Sequence, residues 1–164
     1  MSSITYVDGD ATSPIDSPIG GNEKVIAHIC NDIGVWGAGF VMAVSKKWER
    51  PELSYKYAYK EGQIALGKIQ MIAVEDDIDV CNMIAQEGVG PNQYGREPVR
   101  YDALVVCLRK LANYCLVPGW PTTSVHMPRV GCGLGGGRWE IVEPIINIEL
   151  CERGVPVTVY DWKG

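Results

Sequence analysis

Positive charge is scarce in this chain: fifteen lysines and arginines face twenty aspartates and glutamates over 164 residues, a formal net charge of -5. Nonspecific binding to nucleic acid or to an anionic membrane surface needs a basic field. Both are therefore disfavoured as partners, and any bound anion must be held by local main-chain amides. Long apolar runs are missing too. None approaches the ~20 residues of a membrane-spanning helix, and the opening MSSITYVDGD lacks the basic and apolar regions of a secretory signal. Six cysteines are present, but no two form a Cys-x-x-Cys pair and none stands at zinc-ligand spacing from either histidine. Cys30, Cys81, Cys107, Cys115, Cys132 and Cys151 sit in apolar contexts and read as reduced core thiols, which fits a soluble cytoplasmic protein. No metal and no cofactor are expected. Repeats and low-complexity tracts are absent, and the length suits a single domain over 1–164. Oligomeric state has no signal in the sequence.

What is present is an alternation of strand-like and helix-like segments. Ile4 to Val7 is a β-branched and aromatic run stopped by Asp8-Gly9-Asp10, and Ala11 to Asn22, with Pro14, Pro18, Gly20 and Gly21, predicts an ordered surface loop. Lys24 to Cys30 is nearly continuous apolar, as a strand covered on both faces should be, with His28 its one polar intruder. Phe40, Val41, Val44 and Trp48 recur at helical spacing before Pro51, and a second helix is expected over Glu52 to Glu61. Ile69 to Val74 and Ile78 to Ile84 flank a polar turn and predict an antiparallel hairpin. Gln86 to Pro98 reads as a long functional loop or lid. Tyr101 to Leu116 predicts a helix, Ser124 to Pro128 a strand and Val155 to Tyr160 a closing strand. Trp139 to Glu152 reads as a helix stopped by Gly154, but Pro144 requires either a later start or a kink. The alternation argues for a layered α/β sheet with helices on both faces.

Two glycine loops carry the chemistry. Val130 to Gly137 reads VGCGLGGG, and Gly34-Val35-Trp36-Gly37-Ala38-Gly39 lies upstream, each between a strand-like and a helix-like run. Glycine lets consecutive N–H groups turn toward one centre, and a following helix adds its positive end, so each loop is an anion cradle. Two cradles point to a ligand with two phosphates. A nucleotide P-loop is excluded because neither cradle ends in Gly-Lys-Ser/Thr. The second loop also satisfies Gly-x-Gly-x-x-Gly, but a dinucleotide fold places that loop after its first strand, and here at least four strands precede it. His28 reads either as a hydrogen-bonded core residue or as a catalytic one; Asn31, at the carboxyl end of the same strand, reads as a turn former or a ligand contact. Asp10 has the same two readings, and Tyr160 reads as a core aromatic or as a stacking partner for a base.

In order and spacing, Gly9-Asp10-Ala11-Thr12, His28-Ile29-Cys30-Asn31, Gly34 to Gly39, Pro128 to Leu134 with Trp139, and Val157 to Tyr160 resemble the macrodomain family over almost the whole chain. The likeness is to the branch of ADP-ribose 1''-phosphate phosphatases and terminal ADP-ribose glycohydrolases, in which a histidine replaces the first asparagine of the NAAN motif. The resemblance implies a three-layer α/β/α fold with a mixed central sheet and ADP-ribose or ADP-ribose 1''-phosphate as the partner. It implies that Asp10, with Ala11 beside it, accepts a hydrogen bond from the adenine amino group and that Tyr160 stacks near the ring. Asn31 would contact the distal ribose. Gly34, Val35, Trp36, Gly37, Ala38 and Gly39 would close over that ribose and one phosphate. Val130, Gly131, Cys132, Gly133, Leu134 and Gly135 would cradle the diphosphate. Glycohydrolases of the branch that act on glutamate use a lysine and an aspartate where this chain has Gln86 and Gly135, so their covalent route is not available here. His28 is then the proton-transfer candidate and, with Asn31, the catalytic pair. The leading expectation is hydrolysis of ADP-ribose 1''-phosphate to ADP-ribose and phosphate. A non-catalytic ADP-ribose reader and a hydrolase removing ADP-ribose from protein or nucleic acid are the alternatives.

Overall fold

The computed structural model describes residues 3–18 and 21–163; Met1, Ser2, Ile19, Gly164 and the loop residue Gly20 lie outside them. In chain order the elements are β1 Thr5–Asp8, β2 Lys24–Asn31, α1 Phe40–Lys47, α2 Arg50–Lys60, β3 Ile69–Glu75, β4 Ile78–Gln86, α3 Tyr101–Cys115, β5 Ser124–Met127, α4 Trp139–Glu149 and β6 Val157–Asp161. The six strands form one sheet in the order β1-β6-β5-β2-β4-β3. Its pairings are parallel except that of β3 with β4, the expected hairpin, so the sheet is mixed.

The layers follow from side-chain alternation on the inner strands. Val25 and Ala27 of β2, with Cys81, Met83 and Ala85 of β4, enter one core with Leu104, Leu108 and Leu111 of α3 and Val142 and Ile146 of α4. Ile26 and Cys30, with Val80 and Ile84, enter the other with Val41 and Val44 of α1 and Tyr55 of α2. Covered on both faces, β2 needs the largely apolar run that it has, and β5 buries Ser124 and His126 along with Val125 and Met127. Each fully buried leucine or isoleucine contributes about 1.5–3 kcal/mol.

Proline explains where the helices differ from the sequence reading. α2 begins at Arg50 and holds Pro51 in its first turn, where no N–H is needed. α4 begins at Trp139 with Pro144 inside it, so the later start is not taken; Pro144 has no N–H to give the carbonyl one turn back. A 3-10 turn at Cys151–Arg153 follows, and Gly154 at φ 92° ends it. β6 starts after Pro156 rather than at Val155. Because β1, β6, β5, β2 and β4 run parallel, their carboxyl ends share one edge. That edge gathers the loops after Asp8, Asn31, Gln86, Met127 and Asp161, which is where open α/β sheets bind ligands.

Candidate functional site

Two adjoining cavities occupy that edge. The first, of about 520 Å³, is walled by β2 from His28 to Asn31, by Val35 and Gly37 to Gly39, by Gln86, Val89 and Gly90, and by Pro128 to Gly131 with Gly133 to Gly135. The second, of about 810 Å³, is walled by Gly9 to Thr12, Met42, Ala43, Lys46, Lys47, Tyr160 and Trp162. Gly39, Phe40 and Pro128 border both, so the two form one cleft. Each is of the size that small-molecule sites take.

The first glycine loop is shaped by Asn31. Its Oδ1 accepts the N–H groups of Ile33 and Val35 at 3.0 and 3.2 Å, and its Nδ2 donates to the Val35 carbonyl at 2.7 Å. The Tyr55 hydroxyl lies 2.6 Å from Oδ1 and accepts the Gly34 N–H at 3.0 Å. Asn31 therefore builds the loop and keeps one Nδ2–H for anything else. Val35, Gly37, Ala38 and Gly39 reach the cavity wall, but Gly34 and Trp36 do not. A side chain at Gly34 would run into the Tyr59 ring. Trp36 turns inward, 7% exposed, and its indole N–H donates to Ser45 Oγ at 2.7 Å. Both residues are committed to α1 and α2 rather than to the cleft.

The second loop is shaped by its own main chain. Gly137 donates to the Gly131 carbonyl at 2.6 Å, Gly136 to the Gly133 carbonyl at 3.1 Å, and Val99 to the Gly135 carbonyl at 3.1 Å. Gly131 sits at φ 76°, a conformation only glycine takes without strain. A Cβ at Gly137 would stand 2.6 Å from the Gly131 oxygen, whereas one at Gly133 would meet nothing within 4 Å. Val130, Gly131, Gly133, Leu134 and Gly135 line the cavity; Cys132 does not. Neither do Trp139 and the first turn of α4, so the positive helix end at this cavity is that of α1, which starts at Phe40. Leu134 Cδ1 comes within 3.5 Å of where a Cβ on Gly39 would be, so the loops meet across the cleft.

His28 is 1% exposed on β2 and borders the first cavity. The Trp36 ring meets it edge-on at 5.4 Å and Phe40 lies at 5.8 Å. Its Nε2 is 2.5 Å from Asn82 Oδ1. Burial pushes its pKa down to about 4 against the opposing effect of that hydrogen bond, so the imidazole is neutral at neutral pH. It can accept a proton there but has none to spare as an acid.

At the other end Asp10 Oδ1 accepts both the N–H and the hydroxyl of Thr12, at 2.8 and 2.7 Å, which leaves Oδ2 for a ligand. Tyr160, 4% exposed, faces the second cavity and anchors its hydroxyl to His126 Nδ1 at 2.7 Å and to the Ile15 N–H at 3.0 Å. His126 Nε2 is 2.8 Å from Ser124 Oγ, and burial also takes its pKa down to about 4. Ala11 is buried in the same wall.

Residues not singled out in the sequence also line the cleft. Phe40 borders both halves, and Trp162, 70% exposed, forms an aromatic rim just beyond the closing strand. Arg129 is the one cation of the first cavity wall, and Asp161 holds it at 2.6 and 3.1 Å between the rings of Tyr6 and Trp139. Gln86 reaches the wall, and its Oε1 lies 3.1 Å from where a Gly135 Cβ would be, leaving little room for an acidic side chain there. The Gln86–Pro98 loop is pinned at its base by Arg100, whose guanidinium donates to the carbonyls of Glu97, Pro98 and Val99. The loop's Gly88 N–H donates to Asp32 at 2.8 Å. Cys30, Cys81, Cys107, Cys115 and Cys132 are free thiols; Cys132 is half-buried and the others, like Cys151, are buried, with Cys107 and Cys115 pushed up to about 12 by burial. Among the described residues no helix is long and apolar enough to cross a membrane.

No family model matches the chain. It is 29% identical, over 96% of its length, to chromodomain-helicase-DNA-binding protein 1-like of Mus musculus, of which it spans only 18%. It is 28% identical to human ADP-ribose glycohydrolase OARD1, covering 97% of this chain and 91% of that one. With an ADP-ribose 1''-phosphate phosphatase of Lodderomyces elongisporus the identity is 24%, over 88% and 91% of the two chains. Among solved structures, a Bacteroides thetaiotaomicron protein of unknown function superposes with a TM-score of 0.89 at 49% identity, covering 97% of this chain and 98% of that one. Thermosipho africanus DarTG in complex with ADP-ribose shares the fold, with a TM-score of 0.74 at 19% identity over 98% and 42% of the two chains. A macrodomain protein from Streptomyces coelicolor superposes with a TM-score of 0.80 at 42% identity over 97% of this chain and 99% of that one. With that identity along essentially its full length, the chain belongs to the macrodomain family.

Proposed function

We propose that the chain binds ADP-ribose along the carboxyl edge of the sheet and hydrolyses ADP-ribose 1''-phosphate to ADP-ribose and phosphate. The observation that carries this reading is the single cleft whose two ends differ in chemistry. The end lined by Phe40, Tyr160 and Trp162, with the free Oδ2 of Asp10, suits a flat base bearing an amino group. Between the ends, the main chain of Gly37 to Gly39 and Gly131 to Gly135 offers amides to a diphosphate. The enclosed end, with Asn31 and His28, takes the distal ribose. There the neutral His28 accepts a proton from water as the water oxygen bonds to C1'' of the ribose, and the bond from C1'' to the phosphate oxygen breaks, so that phosphate departs as a stabilised anion without needing an acid. Relatives whose names give them phosphatase and glycohydrolase activity on ADP-ribose compounds support the class of reaction.

The test is incubation of the protein with ADP-ribose 1''-phosphate, following phosphate and nucleotide by chromatography. Stoichiometric phosphate and ADP-ribose, lost in Asn31→Ala, is the expected result. Tight binding with no conversion would instead make the protein a reader. The observation favouring that second reading is that Gln86 and Gly135 put neither an amine nor a carboxylate in the enclosed end.

A further inference from the structure

Among the described residues one buried side-chain polar atom has no hydrogen-bond partner, and it is Nδ1 of His28, a residue that borders the first cavity. Its isolation has a cause that can be followed across three strands. In register, Gln70 of β3 stands opposite Asn82 of β4, and Asn82 opposite His28 of β2. The row is polarised by two main-chain carbonyls of α2, which can only accept. Ser54 takes a hydrogen bond from Gln70 Nε2 at 3.1 Å, which turns Gln70 Oε1 toward Asn82. Asn82 Nδ2 then donates to Gln70 Oε1 and to the Pro51 carbonyl, both at 3.1 Å. Both amide hydrogens of Asn82 are spent, so its Oδ1 must face His28, and the 2.5 Å contact requires the hydrogen to be on Nε2. Nδ1 is left with a lone pair and nothing to receive.

We infer that Asn82, backed by Gln70, is a positioning residue that holds His28 in the Nε2–H tautomer and so fixes Nδ1 as an acceptor for an O–H group at the enclosed end of the cleft. A buried acceptor without a partner is costly unless a ligand completes it. The donor is a hydroxyl of the distal ribose or the attacking water. The inference rests on the proposed function for the identity of that donor, but not for the tautomer itself. The groups packed on the ring are Trp36 from the first loop, Phe40 from α1 and Asn82 from β4, none of them charged, and burial raises the nearby Cys30 thiol out of the titrating range. Acidity in the usual working range therefore leaves His28 as it is.

The chain has two histidines, so nitrogen-15 NMR of the imidazoles resolves His28 against a His28→Gln reference. In the free protein at neutral pH the expected spectrum has a protonated Nε2 and an unprotonated Nδ1; the opposite pattern overturns the inference whatever the protein binds. Addition of ADP-ribose separates the two donors. A shift of Nδ1 assigns a ribose hydroxyl, and an unmoved Nδ1 together with the effects of Asn82 variants on turnover assigns the water. Asn82→Asp places a carboxylate on Nε2, raises the His28 pKa toward neutrality and converts Nδ1 to a donor below it. Turnover, expected to be flat from pH 5.5 to 8 in the parent, should then fall by about tenfold per pH unit below the new pKa. A folded Asn82→Asp protein with the parent's flat profile would defeat the positioning role. If neither binding nor turnover is found but Nε2 carries the proton, the proposed function fails and the tautomer assignment stands.

Discussion

In the first glycine loop side chains hold the main chain, whereas in the second the main chain holds itself. Asn31 and Tyr55 supply the hydrogen bonds that fold residues 33–35, and Trp36 anchors the loop to α1 through Ser45. Around Gly131, by contrast, the carbonyl of one glycine receives the N–H of another six residues on. A glycine in either loop can therefore be present for the ligand, for a neighbouring side chain, or for another stretch of main chain. On the proposed function Gly133, with open space beside it, is of the first kind; Gly34 is of the second and Gly137 of the third.

Valine at Gly133 has open space toward the cleft, so Gly133→Val is expected to keep the parent melting temperature and lose at least about a hundredfold in ADP-ribose affinity by calorimetry. Gly137→Ala should do the reverse and cost about 1–3 kcal/mol of stability in chemical denaturation, because its Cβ meets the Gly131 oxygen. Equal effects of the two substitutions on both readouts would mean that the two glycines do not serve different partners.

Each loop also grows from a strand that carries a buried histidine, His28 before the first and His126 before the second. Both have folded-state pKa values near 4, lowered from an ordinary 6.5, so the unfolded chain binds more protons between those values. Stability is then fully present above pH 6.5 and falls as the pH drops toward 4, by about 2 kcal/mol per histidine at pH 5. Denaturant titrations at pH 5 and 7 should show this loss, and His126→Gln should remove about half of it. An unchanged pH dependence in that variant would refute the assignment to His126.

Tyr55→Phe removes the hydroxyl between Asn31 and Gly34 and should cost about 1–2 kcal/mol with a several-fold loss of affinity, while Cys132→Ala in the second loop should change neither by a measurable amount. The smallest effect concerns salt. Arg129 is paired with Asp161 and the rest of the first cavity wall carries no cation, so affinity for ADP-ribose should weaken only slightly from low to physiological ionic strength. A steep decline would shift the weight of binding to Lys46 and Lys47 in the second cavity.

The strands were legible because β2, β4 and β6 bury both faces and so have to be apolar almost throughout, and the hairpin because its turn is acidic. The layers and the mixed sheet follow from these patterns together with the family resemblance. The direction of individual loop residues was not legible. Trp36 and Gly37 are neighbours in a glycine-rich string, yet one faces Ser45 and the other the cleft, and that choice depends on where α1 and α2 pack. The row of Gln70, Asn82 and His28 is set by strand register over long separations, which no local pattern encodes. Trp162 lay just past the last readable strand, where no periodicity drew attention to it.

Among the described residues β1 is an edge strand paired in the sheet with β6 alone, so Thr5 to Asp8 pair with Thr158 to Asp161 far along the sequence. During synthesis the early strand must wait, unpaired, while the intervening residues are made, a delay on the order of ten seconds at ordinary elongation rates. Closing so long a loop is also the entropically slowest contact in the sheet. The Asp10 end of the cleft takes Asp10 from the loop after β1 and Tyr160 from β6, so it cannot form until both strands have been made. A nascent chain with β2, β4 and β5 already paired would hold the cavity between the glycine loops without the second cavity beside it. The two halves of the cleft would thus be joined only when β6 is laid beside β1, and protection of that pairing on ribosome-bound chains would report the closing of the sheet.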